Sequence, residues 1–121
     1  MGSGSQVGGG SADDGVTLIN VIEVSPEQIE KFMADWDKRA HHMRTLPGLI
    51  DYTLHRAILE DNRFQLVNVA HWENAEAFQT AINNPEFQAM RQAAFEDMDF
   101  EVQANVGLYK VIATERGPAA T

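Results

Sequence analysis

Two asparagines interrupt apolar stripes that otherwise alternate like buried strands. Val16, Leu18, Asn20, Ile22 and Val24 fall on one face of a period-two run. Phe64, Leu66, Asn68, Ala70 and Trp72 fall on one face of another. Each stripe carries a single Asn at its middle. A buried amide without a partner costs roughly 1–3 kcal/mol, so two of them in one small core need a reason. If the two strands are neighbours, the amides either bond to each other or to a water, or they line a pocket with Trp72 as its flat wall. In a pocket they would bind a ligand carbonyl or phenolate. Amides have no useful acid–base chemistry near neutral pH, but they donate hydrogen bonds to negative charge developing on oxygen.

Arg91 is a third interruption, set among Phe87, Met90, Ala94 and Phe95. It either snorkels at the edge of that apolar face and pairs with a carboxylate, or it points inward as a cation toward an anionic substrate. His41 and His42 are adjacent on a helix, so they point apart and do not chelate one metal together. His55 and His71 alternate onto the strand faces opposite Leu54 and Trp72, a side suited to a partner subunit or a sheet edge. His55 is the one candidate for a general base, because imidazole titrates near neutrality. No His/Glu spacing suits a metal, no Gly-rich loop suits a phosphate, and no nucleophile elbow is present.

The elements that must hold these residues follow from periodicity. Val16 to Val24 reads as a strand. Ser25-Pro26-Glu27-Gln28 reads as a helix start, with Ser25 as N-cap and Gln28 closing a capping box. Ile29, Phe32, Met33, Trp36, Ala40 and Met43 follow at helical spacing, and Leu46-Pro47-Gly48 ends that helix. Leu49 to Ile58 and Phe64 to Trp72 are strands joined at Glu60-Asp61-Asn62. Asn74 caps a short helix holding Phe78 and Ile82. Asn84-Pro85 opens another with Phe87, Met90, Ala94, Phe95 and Met98 on one face, and Val102 to Thr114 is the last strand.

The order βαββαβ predicts an α+β, ferredoxin-like fold with strand order 4-1-3-2 and helices on one face. The first and third strands are expected as parallel neighbours at its centre. The uncovered face carries Ile19, Val21, Val67 and Val69, which predicts a homodimer packed sheet against sheet.

The chain has 121 residues, no cysteine and a formal net charge of −9. Residues 1–15 read as a Gly/Ser-rich linker or tag, 16–115 as one domain and 116–121 as a tail. Without cysteine there is no disulfide, thiolate nucleophile or Cys-based metal site. The acidic balance argues against nucleic acid or an anionic membrane as partner. No apolar run is long enough to span a bilayer, and with no export signal a cytoplasmic location is expected.

Asn68-Val69-Ala70-His71-Trp72-Glu73, an Asn-x-x-x-Trp-Glu motif followed by Phe78, resembles the antibiotic biosynthesis monooxygenase family. Pro47-Gly48, Leu54-His55-Arg56 and Asn20 support the resemblance, which extends over about residues 16–114. It implies a dimeric α+β barrel. One branch of that family oxidises anthrones to quinones in aromatic polyketide pathways, with no metal, flavin or other cofactor. Its functional set is similar to Asn20, Asn68 and Trp72, and some members have an Arg where Arg91 stands. Phe78 departs from members that carry a Tyr there. A second branch degrades haem with an Asn, a Trp and an axial His. Ala81 and Arg91 stand at the Trp and His positions, so haem degradation is not expected.

The resemblance therefore implies a cofactor-independent monooxygenase acting with O2 on a polycyclic phenolic, anthrone-like substrate. Asn20, Asn68 and Trp72 are its expected catalytic residues. Arg91, Phe78, His55, Trp36 and Leu66 are its expected substrate-binding residues. Two other functions use the same scaffold: a cyclase, isomerase or decarboxylase, and a module that binds a hydrophobic ligand without turnover.

Overall fold

The computed structural model describes residues 15–120. Of the expected linker over residues 1–15, residues 1–14 lie outside them. The elements are β1 (Val16–Glu23), α1 (Ile29–Met43), β2 (Leu49–Arg56), β3 (Leu66–Trp72), α2 (Ala75–Ile82), α3 (Pro85–Asp97) and β4 (Gln103–Tyr109). This is a ferredoxin-like α+β fold with three helices on a four-stranded sheet ordered β2-β3-β1-β4.

Every neighbouring pair of strands is antiparallel. The expectation that the first and third strands run parallel is therefore corrected. The α1 crossover returns β2 in the direction of β1 but one strand-width away. β3 then hairpins back into the gap, antiparallel to both. Its register sets Val16 opposite Trp72, Leu18 opposite Ala70, Asn20 opposite Asn68 and Ile22 opposite Leu66.

Local chemistry explains the other departures. Ser25 makes no side-chain cap. Instead, the Gln28 N–H donates to the Ser25 carbonyl at 3.0 Å and closes a 3₁₀ turn over Pro26–Gln28. With that N–H spent on a carbonyl, no capping box forms, and the α-helix starts at Ile29. β2 and β3 are shorter than expected because buried Gln65 organises the turn between them. Its Nε2 donates to the carbonyls of Leu59, Glu60 and Asn62 at 3.1, 3.2 and 2.6 Å. The last strand ends at Tyr109 rather than Thr114, where its described pairing with β1 stops at Thr17.

Asn74 and Asn84 cap α2 and α3, accepting from the N–H groups of Ala77 at 2.7 Å and Phe87 at 2.9 Å. Gly48 adopts φ +102°, and its carbonyl accepts from the Glu73 N–H at 2.8 Å. This turn ties the start of β2 to the end of β3, beside Trp72.

The core divides in two. Val16, Leu18, Ala70, Trp72, Phe78 and Ala81 form one cluster. Ile22, Val24, Ile29, Phe32 and Leu66 form the other. The rung between them is Asn20 opposite Asn68. Polar residues thus occupy the seam where the two halves of the core would otherwise fuse.

Candidate active site

A cavity of about 720 Å³ opens over this seam. The sheet forms its floor, with Leu18, Asn20, Asn68, Ala70 and Trp72 presented upward by the period-two alternation of β1 and β3. Helices α1 and α3 form its roof, through Trp36, Arg39 and Met43 on one and Phe87, Arg91 and Met98 on the other. On α1, the positions 32, 36, 39 and 43 share one face by helical spacing.

On this floor three buried polar atoms have no hydrogen-bond partner among the described residues: Asn20 Oδ1, Asn68 Oδ1 and Trp72 Nε1. All three residues line the cavity. The amide oxygens do not bond across the rung, so the pair is not closed on itself. Buried polar atoms in folded proteins are nearly always satisfied, and atoms facing a cavity can be satisfied by what enters it. The indole N–H is a donor only, whereas an amide turned by 180° offers either its oxygen or its NH₂. Trp72 is 2% exposed and meets Phe78 edge-on at 5.5 Å. Trp36 meets Tyr52 edge-on at 5.6 Å on the other side. These rings shape a flat, apolar slot.

The charged part of the lining is on the helices. Arg39 Nε lies 3.4 Å from Asp35 Oδ2, one helical turn away, and the Arg39 side chain is only 17% exposed. Both atoms are shielded from solvent, yet their alignment does not make a hydrogen bond. The contact is an ion pair by distance alone. The Arg39 pKa is lowered, first by burial and further by the like charge of Arg91, against the opposing pull of Asp35. The folded state therefore carries this charge at a cost below the lowered pKa, and that cost is relieved only as pH rises through the strongly alkaline range.

The structure brings Asn20, Asn68, Trp72, Trp36, Phe78 and Arg91 to one cavity. It does not bring Leu66 or His55 there. Leu66 is 2% exposed inside the second core cluster. His55 is exposed on the opposite face of the sheet, its Nδ1 3.2 Å from the Val67 carbonyl oxygen. His71 shares that outer face and meets Asp51 at 2.5 Å. His41 contacts Arg44 while His42 contacts Asn84, so the adjacent pair diverges.

Phe95, expected on the inner face of its helix, is 75% exposed at the cavity mouth. The helix turns 100° per residue, so Phe95 and the buried Ala94 cannot share an inward direction. Arg39 and Tyr52 were not expected in the site. The signal for Arg39 was its spacing from Trp36 and Met43. Tyr52 shares a face of β2 with Leu54 and carried no distinguishing mark. Among the described residues no group of His, Asp or Glu could hold a metal ion, and no helix is long and apolar enough to cross a membrane.

Residues 15–93 match the family model of the antibiotic biosynthesis monooxygenases. The chain belongs to that family. It is 36% identical over 77 residues to a mycobilin-producing haem oxygenase of Mycobacterium tuberculosis H37Rv, spanning 61% of this chain and 69% of the relative. Among solved structures it resembles a candidate monooxygenase of Shewanella loihica PV-4, at 35% identity and TM-score 0.67, over 83% of this chain and 96% of that one. It also resembles SnoaB, a cofactor-independent oxygenase of Streptomyces nogalater, at 26% identity and TM-score 0.66, over 84% and 96%.

These relatives differ in their use of haem. The cavity lining offers no imidazole and no thiolate as an axial ligand to iron. The residues present do not fit a haem held in that way.

Proposed function

We propose that this monooxygenase is cofactor-independent and oxidises a polycyclic phenolic, anthrone-like substrate to a quinone with O2. The observation that carries this reading is the set of three unpartnered buried atoms, Asn20 Oδ1, Asn68 Oδ1 and Trp72 Nε1, on the floor of an aromatic-walled cavity. A fused-ring substrate fills the slot, and its oxygens meet the amides. The SnoaB likeness supports the chemistry, and the cavity chemistry argues against haem.

An anthrone has an acidic CH₂ between aryl rings. Loss of one proton gives a delocalised anion whose charge rests largely on oxygen. The Asn20 and Asn68 amides, turned with NH₂ toward the substrate, stabilise that charge. The anion passes one electron to O2, and the resulting radical and superoxide recombine to a peroxide. After protonation the peroxide loses water, so CH₂ and O2 become C=O and H₂O. The Trp72 N–H donates to the peroxide oxygen. His55 is on the wrong side of the sheet to take the proton, so that role falls to the substrate's own phenolate or to water.

The working unit is a homodimer. Ile19 stands opposite Val69 and Val21 opposite Val67 on the outer sheet face, and a second sheet packed there would remove this patch from water.

The direct test is O2 uptake by metal-free protein supplied with dithranol and related anthrones. The expected result is uptake well above the buffer rate, with a quinone product and no change on adding chelator. No acceleration with any anthrone would overturn the reading. A Soret shift indicating axial ligation on titration with haem would favour the haem branch instead.

A further inference from the structure

Two guanidinium groups face a cavity whose described lining contains no carboxylate. That is unusual in a chain with a formal net charge of −9. Asp35 stands behind Arg39 and offsets one of the two charges. Arg91 has no carboxylate within 4.0 Å among the described residues, so the helical roof keeps about one uncompensated positive charge. The two cations lie on different helices, and Arg91 is close enough to act on Arg39. Arg39 Nε is buried and not satisfied by a hydrogen bond. Like charges held together in a partly dry site repel, and a bound anion would relieve this.

We propose that Arg39 and Arg91 form an anion-binding rim, so that the preferred substrate is a polycyclic aromatic bearing a carboxylate as well as its phenolic edge. The inference rests on the cavity being the active site. The amides on the floor read the oxygens of the reacting ring. The guanidiniums on the roof read an acidic substituent that takes no part in the chemistry. Guanidinium suits this role because its planar fork matches a carboxylate bidentately and stays charged at all working pH values. Asp35 is a positioning residue: it steadies Arg39 along α1 and competes with the ligand for it.

The test uses two ligands that are already quinones and do not react with O2: anthraquinone-2-carboxylate and anthraquinone-2-carboxamide. Binding to the full chain is followed by tryptophan fluorescence at low ionic strength. The wild-type protein should bind the carboxylate at least about tenfold more tightly, the scale of one hydrogen bond to a charged group. Arg91→Gln lies on an exposed position and should fold. It should lose most of that preference. Arg39→Lys should keep part of the preference and Arg39→Gln should lose it. Asp35→Asn should strengthen carboxylate binding, an outcome that a merely structural ion pair would not give.

Equal binding of the two ligands by wild type, or a preference that survives Arg91→Gln, overturns the proposal. The oxygenase reading fails separately. Protein that consumes O2 with anthrones but ignores the carboxylate loses only the rim. Protein that prefers the carboxylate but consumes no O2 keeps the rim and loses the oxygenase.

Discussion

Asn20 and Asn68 stand opposite each other on the central rung of the sheet, and each keeps a buried amide oxygen without a partner. The apolar core lies in two clusters on either side of this rung. A sequence selected for stability alone would place Leu or Val at both positions and join the clusters. The fold gives up stability here and gains a polar floor in an apolar cavity.

Asn68→Leu separates these two roles. Removing a buried unsatisfied amide while keeping its volume is expected to be neutral or to stabilise by about 1 kcal/mol. Loss of one donor to a developing oxyanion lowers turnover by about 10²–10³-fold. Thermal melting should therefore hold or rise while anthrone-dependent O2 uptake collapses. If melting falls by several degrees instead, the amide is structural.

Trp72→Phe removes the unpartnered indole N–H but keeps an aromatic ring against Phe78. The expected loss is about tenfold or more in kcat, with KM changed much less, because in the proposed mechanism the donor acts on the peroxide rather than on the bound substrate. The smaller ring leaves a gap that costs about 1–2 kcal/mol of stability. Steady-state kinetics on a soluble anthrone, beside a urea titration, measures both. A rise in KM with kcat intact would make Trp72 only a wall.

Much of this arrangement was legible in the sequence, for a physical reason. Period-two alternation in β1 and β3 puts Asn20 and Asn68 on the core face whatever their partners are. Their meeting on one rung needs only that the two strands be neighbours. Strand direction was not legible from alternation, since a stripe reads the same in a parallel or an antiparallel pair. His55 was misplaced for a related reason: alternation put it on the face opposite Leu54, but its imidazole chemistry drew it into the expected site. Arg39 was hidden because a long cationic side chain on a helix usually reaches water. Only the packing of α1 on α3 turns it toward the cavity.

Gly48 ties β2 to the end of β3 with a positive φ, and a Cβ there would overlap the Ala77 side chain. Gly48→Ala is expected to cost about 1–3 kcal/mol from backbone strain, with the clash adding to it. The effect should reach the site, because the same Cβ would lie 3.6 Å from Trp72 Cε3. Urea unfolding should show a lower midpoint with unchanged slope, and the tryptophan emission of the folded state should shift. An unchanged midpoint would mean that the turn relaxes freely and does not position Trp72.

The outer sheet face offers the last prediction. Val21 and Val67 are register partners there, and neither lines the cavity on the far side of the sheet. Val67→Glu puts a charge in the middle of the Ile19, Val21 and Val69 patch. In a sheet-to-sheet dimer that carboxylate would be buried without a partner, a cost of several kcal/mol. Sedimentation velocity should then change from dimer to monomer, with far-UV circular dichroism retained. The exposed Val111 and Ile112 just beyond β4 are the next apolar surface a partner could cover. If Val67→Glu stays dimeric, the interface lies there instead, and Ile112→Asp should dissociate it.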